Sequence, residues 1–217
     1  PGIRYSVASR GLGDVYKRQA EAYAGVKATV TATDMPETGG GVVVLGEGGA
    51  TDIKFLQDNI LASDKVLYKG HAVAAVAATS PHIAEEAAGL IEIDYEILPP
   101  VMDVREAMAN DAPLLHENLK TTSLGKTSSE DSNLAMHLQF QQGDIEKGFA
   151  EADQVVEKEF KTATVHQGYI EPHNATALYR SDGHLTIWCS TQGAFEVREQ
   201  LEKILQMPVS DIKVVPM

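Results

Sequence analysis

A single cysteine, Cys189, stands among the 217 residues. An internal disulfide framework is therefore excluded, and a reducing, cytoplasmic address is permitted. Basic residues are also short, with 18 Lys and Arg against 31 Asp and Glu and a formal net charge of -13. Nucleic-acid binding needs a basic patch to neutralise phosphate, so this balance argues against such a partner. No apolar run reaches the length of a membrane span, and no charged-then-apolar signal peptide opens the chain. Without a second cysteine, and with no two histidines at i,i+4, the usual zinc templates are absent. What remains is a globular composition, 43% hydrophobic and 23% charged, long enough for one large domain or two small ones.

The two ends differ from the rest. "SRGLGDVYKRQ" (Ser9 to Gln19) has no hydrophobic period and is rich in Arg, Lys and Gly. It resembles the in-frame translation of a transposase-based sequencing adapter, whose mosaic end reads GDVYKRQ in this frame. Residues 1–19 are accordingly read as a non-native leader and left out of the fold reading, with a natural basic leader as the alternative. At the other end "SDIKVVPM" stops within a strand pattern. The expectation is a fragment of a longer chain, truncated at both ends, with sheet edges exposed and marginal stability.

Between the ends the pattern is α/β. "GVKATVTATD" alternates and is β-branched, which predicts a strand, and "PETGGG" predicts a loop. "KVLYKGHAVAAVAATS" predicts a hairpin turning at Lys69-Gly70, its second strand buried on both faces. Ser80 and Pro81 suit the start of a helix, which "EIDYEILPPV" follows as a strand ended by Pro99 and Pro100. Asp103 is read as the cap of a short helix, and "KTTSLGKTSSEDSN" (Lys120 to Asn133) as a polar linker or surface connection. Further on, Asp144 caps another short helix. A long strand is expected over Val155 to Val165, then strands in "YIEPHNATALYR" and "HLTIWCS". A helix over Gly193 to Leu205 and a strand at "IKVVP" complete the series.

The titratable candidates are modest. His71 lies beside a tight turn, His82 in a helix's first turn and His116 before an acidic residue, all places for surface or packing histidines. His166 and His173 flank Glu171, a cluster able to bind metal or do acid-base work, but its spacing fits no ligand template. Cys189 sits beside Trp188 with no base nearby in sequence, as an inert buried thiol would. Gln192 ends "WCSTQ" where a strand passes into a helix, a place where α/β proteins put ligands. An amide neither gains nor loses a proton at working pH, so its chemistry is confined to hydrogen bonding.

Three stretches carry a specific resemblance. The run from "DNILASDKVLYKGHAVAAVAATSPHIAEEAAGLIEIDYEILPP" to "HENL" resembles the hammerhead domain of molybdenum hydroxylase large subunits. That family includes xanthine dehydrogenase, aldehyde oxidase and carbon monoxide dehydrogenase. "GDIEKGFAEADQVVEKEF" with "HQGYIEPHNATA", and "WCSTQGAFEVREQLEKILQMPVSDIKVVPM", resemble the start of its molybdopterin-binding domain.

The resemblance implies an α/β (α+β) fold. Its parts would be an N-terminally truncated hammerhead domain over 20–122, a linker over 123–134, and the first strands and helix of the molybdopterin-binding domain over 135–217. It implies an oxidoreductase that hydroxylates a small molecule (a purine, an aldehyde, an aromatic compound or carbon monoxide) using water. It also implies a molybdenum–molybdopterin cofactor in the cytosine dinucleotide form, with [2Fe-2S] and FAD on partner subunits or domains, and a dimer of heterotrimers. Gln192 matches the residue that hydrogen-bonds an oxygen ligand of the molybdenum, and Gly193 adjoins the cofactor. No protein side chain of this chain is expected to ligate metal, and the fragment alone is expected to be inactive. The alternative is a stand-alone binding or assembly module on the hammerhead scaffold, and for Gln192 a plain helix cap.

Overall fold

The computed structural model describes residues 10–44 and 50–217. The chain forms two units, Pro1–Met102 together with Glu171–Met217, and Asp103–Ile170. Among the described residues no helix is long and apolar enough to cross a membrane.

The first part of the larger unit runs β1 (Arg10–Tyr16), α1 (Arg18–Glu21), β2 (Val26–Thr31), β3 (Val42–Val44), β4 (Ala50–Asp52), α2 (Ile53–Ile60), β5 (Lys65–Val66), β6 (Ala74–Ala78), α3 (Pro81–Ala88) and β7 (Glu92–Ile97). Both longer helices begin at side-chain caps. Asp52 accepts the Lys54 N–H at 2.9 Å, and Ser80 accepts the Ile83 N–H at 3.3 Å, with Pro81 at the first helical position. β2 and β6 pair antiparallel, and the alanines of β6 leave room for α3 to pack across them, burying Ala87. One apolar cluster joins Ala62, Val66 and Val73 with Val15 and Ile93.

Two expectations change here. Of the segment set aside as a leader, residues 10–19 lie inside the fold, and residues 1–9 lie outside the described residues. β1 is the central strand of an antiparallel sheet ordered β5-β1-β7, with a register shift between Leu12 and Val15. Strand pairing is a backbone property, so a segment with no strong pattern of its own can fill a slot that two neighbours leave open. Gly13 falls within the shift, as glycine often does at a bulge, and Val15 supplies the apolar contact.

The expected hairpin over residues 65–80 also divides. β5 joins β1, whereas β6 joins β2 and alternates half-buried with exposed residues instead of being buried on both faces. The turn itself forms, with Gly70 at φ 93°. The buried ring of His71 then directs the chain elsewhere: its Nδ1 accepts the Leu67 N–H at 3.2 Å, and its Nε2 lies 2.8 Å from the Asp58 carbonyl.

The smaller unit contains α4 (Val104–Ala107), β8 (Lys120–Ser123), β9 (Lys126–Asp131), β10 (Met136–His137) and α5 (Ile145–Glu151). Asp103 and Asp144 cap the two helices as expected, accepting the Arg105 N–H at 2.8 Å and the Lys147 N–H at 3.0 Å. The polar segment read as a linker is a β8–β9 hairpin. Its turn places Leu124 at φ 50° and Gly125 at φ 79°, a pair of left-handed residues that matches the twist of paired strands. Asn133 staples the hairpin's exit: it accepts the Leu115 N–H at 2.9 Å and donates to the Ala107 and Pro113 carbonyls, each at 3.0 Å.

The expected strand over residues 155–165 does not form. No described strand of this unit pairs with it, and an unpaired strand leaves its peptide groups to water. None of the described residues of this unit is buried.

The larger unit resumes with β11 (Ala175–Tyr179), β12 (Leu185–Cys189), α6 (Ala194–Leu205) and β13 (Ile212–Pro216). β11 and β12 form an antiparallel hairpin. β12 and β13 are parallel and joined through α6, giving the order β11-β12-β13. Leu185 and Ile212 are buried where β12 and β13 meet. Ile204 on α6 joins Val43 and Ile53 in a second apolar cluster, with Met35, Leu56 and Leu205 against it.

Candidate functional site

The β12–α6–β13 crossover places residues 190–193 just past the C-terminal end of a strand that has a parallel neighbour. In open α/β sheets this is the side on which ligands bind. The three residues before the helix are held very differently. Ser190 Oγ accepts the Asn174 N–H and donates to the Pro172 carbonyl, each at 3.3 Å, and the Ser190 N–H reaches the Asn174 carbonyl at 3.3 Å. Thr191 Oγ1 accepts the Gly193 N–H at 3.1 Å. Gln192 is exposed, and its amide makes no hydrogen bond among the described residues. It does not act as a helix cap, and Gly193 at the cap position has no side chain to offer.

Gly193 is a close approach. A Cβ there would lie 2.7 Å from Glu196 Oε2, the mobile end of a side chain in the first turn of α6. A carboxylate suits that turn, where unpaired N–H groups concentrate positive potential. The helix behind the site is anchored along its length. Arg198 Nε–H donates to the carbonyls of Val209 and Ile212 at 3.0 and 2.8 Å, and Nη2 donates to Val209 at 2.6 Å. Lys203 Nζ donates to the Val42 carbonyl at 3.3 Å, and Gln206, at φ 51°, donates to the Glu37 carbonyl.

The other candidates are not brought together into a site. His82, His166, Glu171 and His173 are exposed, and His116 is half-buried. His166 Nδ1 accepts the Gly168 N–H at 3.0 Å, and its ring lies 5.1 Å from that of Tyr169. Cys189 is half-buried, paired through its backbone to Ala175 and Pro216. Among the described residues no group of three or more His, Cys, Asp and Glu could hold a metal ion.

The shifted titrations mark structural caps and ion pairs. Lys17, 2.7 Å away, and the Thr31 N–H and hydroxyl hold the Asp34 carboxyl down to about 2. Backbone N–H groups of Arg105 and Glu106 lower Asp103, and that of His184 lowers Asp182. Sequence reasoning picked out Gln192 and Gly193 but passed over Ser190, Thr191 and Arg198. The Ser-Thr pair at a strand end was a signal, because short hydroxyl side chains bond nearby backbone there.

These features define an α/β chain with a ligand-side loop at the end of a parallel strand. Comparison with known proteins makes the assignment particular. Residues 3–99 match the aldehyde oxidase and xanthine dehydrogenase a/b hammerhead domain, and residues 127–217 match the molybdopterin cofactor-binding domain. A probable xanthine dehydrogenase subunit of Bacillus subtilis is 30% identical over 221 residues, covering 99% of this chain and 27% of that protein.

Reconstituted CO dehydrogenase from Oligotropha carboxidovorans superposes with a TM-score of 0.75 at 28% identity, covering 98% of this chain and 26% of that one. Quinoline 2-oxidoreductase from Pseudomonas putida 86 does so with a TM-score of 0.69 at 26% identity, covering 99% and 26%. The chain belongs to the molybdenum hydroxylase large-subunit family. It spans about a quarter of the length of each of these three relatives.

Proposed function

We propose that the full-length protein is the molybdenum-cofactor-binding catalytic subunit of an oxidoreductase that hydroxylates a small molecule using water, and that Gln192 lies against the cofactor. The family matches support the enzyme over a stand-alone assembly module. The observation that carries the role of Gln192 is its amide, exposed and without a partner beside two hydroxyls already committed to backbone. The donor set suits the group. A carboxamide can donate to a cofactor oxygen and accept in return without titrating, so it orients that oxygen equally at any working pH.

When bound, the molybdenum cofactor supplies the two-electron redox chemistry that hydroxylation by water requires. This chain's own part is to present the Gln192 amide on a fixed backbone. Gly193 offers no donor, because its N–H is taken by Thr191, and its missing side chain leaves the space that the Glu196 carboxylate fills.

The finer reading follows the family. The cofactor is the cytosine dinucleotide form, electrons pass to [2Fe-2S] and FAD on partner subunits, and the assembly is a cytoplasmic dimer of heterotrimers. Relatives named as one subunit of a xanthine dehydrogenase, as a large chain and as the gamma subunit of a complex support a multi-subunit enzyme. Their names span xanthine, carbon monoxide and 6-hydroxypseudooxynicotine, so the substrate class here is a small molecule of that range.

The test is Gln192→Ala in the full-length enzyme. Turnover should fall by about 10- to 100-fold, the usual effect of losing a group that orients a metal's ligand, with melting temperature and molybdenum content retained. Unchanged turnover would remove Gln192 from the site.

A further inference from the structure

We propose that Thr191 is the positioning residue that sets the direction of the Gln192 amide, with Ser190 fixing the strand end from which both depart. The proposal rests on the reading of Gln192 given above. The Thr191 Oγ1 to Gly193 N–H bond of 3.1 Å closes a ring that spans Gln192. Both peptide groups of Gln192 lie within that ring, so its backbone dihedrals are no longer free to vary independently. A side chain's reach is set by the backbone that launches it, and a displacement near 1 Å at a reacting group is enough to cost about two orders of magnitude in rate.

The preceding residue closes the other side. Ser190 Oγ bridges the Asn174 N–H and the Pro172 carbonyl, tying the end of β12 to the segment that leads into β11. The division of labour is therefore visible in three consecutive residues. Two hydroxyls bond to backbone, and the amide between them and the helix is left for a ligand. The helix beyond is immobilised by Arg198, so the loop has a fixed frame at each end. Thr191 acts through Gln192 and does not touch the cofactor itself.

The experiment is a double-mutant cycle in the full-length enzyme with Thr191→Val, Thr191→Ser, Gln192→Ala and the Thr191→Val/Gln192→Ala pair. Thr191→Ala serves as a second truncation should the valine variant fail to fold. Two readouts are taken: kcat and KM of the loaded enzyme, and amide hydrogen exchange of the peptide covering residues 190–197 in cofactor-free and loaded protein. Thr191→Val is expected to speed exchange at Gly193 in both forms and to lower kcat about tenfold, with KM within about twofold. Thr191→Ser should restore both. The pair should be no slower than Gln192→Ala alone, because the two act as one unit.

Faster exchange with kcat unmoved would make Thr191 merely structural and overturn the proposal while Gln192 stands. Independent, multiplying losses would overturn it in the same way. A silent Gln192→Ala would overturn both readings together.

Discussion

Gly25 offers a sharp test of the packing that carries the hammerhead part of the fold. It lies between α1 and β2 at φ +95°, and its carbonyl accepts the Thr79 N–H at 2.9 Å. A Cβ at this position would stand 2.8 Å from Ile83 Cδ1 and 2.9 Å from Thr79 Oγ1. Gly25→Ala therefore meets two costs. The left-handed backbone costs an alanine about 1–2 kcal/mol, and displacing the Ile83 and Thr79 side chains adds about 1–3 kcal/mol of overpacking.

Gly70 separates the two. It has a similar φ of +93° but nothing within 4 Å of its would-be Cβ, so Gly70→Ala carries the backbone cost alone. Urea unfolding followed by circular dichroism should place both variants below wild type, with Gly25→Ala lower than Gly70→Ala by about 1–3 kcal/mol. In a chain of this size each kcal/mol moves the melting temperature by about 2–4 °C, so the gap is readable thermally as well. Equal midpoints for the two alanine variants would refute the close contact between Gly25 and Ile83.

Arg198→Met should lower stability by about 2–3 kcal/mol in urea unfolding, since a charged donor is lost and the Val209 and Ile212 carbonyls it serves lose their partner. Arg198→Lys should recover only part of this, because one ammonium cannot reproduce the guanidinium fork. Acid unfolding should carry a contribution from Asp34. Its carboxyl is held down to about 2, so its stabilisation is fully present above the ordinary carboxylate range and is lost as pH falls through about 2. Asp34→Asn should flatten that part of the pH–stability curve, whereas the same slope in variant and wild type would show that the Lys17–Asp34 pair contributes nothing.

The sequence made helix starts and the last β-α-β crossover readable, because their information is local. Ser80, Asp103 and Asp144 are caps by residue type, and Ala194, Val197, Leu201, Ile204 and Leu205 recur at helical spacing. Strand partners were not readable. Lys65–Val66 and Ala74–Ala78 are close in sequence and look like two arms of a hairpin, yet His71 between them spends both ring nitrogens on residues 58 and 67 and the strands part. The residue 10–16 strand was hidden for a different reason: its place is defined by the open edges of β5 and β7, not by its own pattern. In "STQ" the glutamine was legible as a hydrogen-bonding residue at a strand end. The geometry that makes it useful was not, since only the fold shows which of the three polar side chains has been left free.

That geometry depends on contacts far from the loop. α6 has 12 residues and so is about 18 Å long. Its far end is locked by Ile204 against Val43 and Ile53, and by Lys203 and Gln206 on the carbonyls of Val42 and Glu37. Its near end presents Gln192. A rigid helix transmits a shift at one end to the other, so the hammerhead residues that seat Ile204 also set where the Gln192 amide stands. The loop refines that placement through Thr191, and Arg198 prevents the helix from rolling about its axis. Such an arrangement lets the Gln192 amide, on the role proposed for it, sit on a short connection and still be held by the helix behind it. That hold comes from buried aliphatic packing and carbonyl-directed hydrogen bonds, none of which changes charge during a reaction.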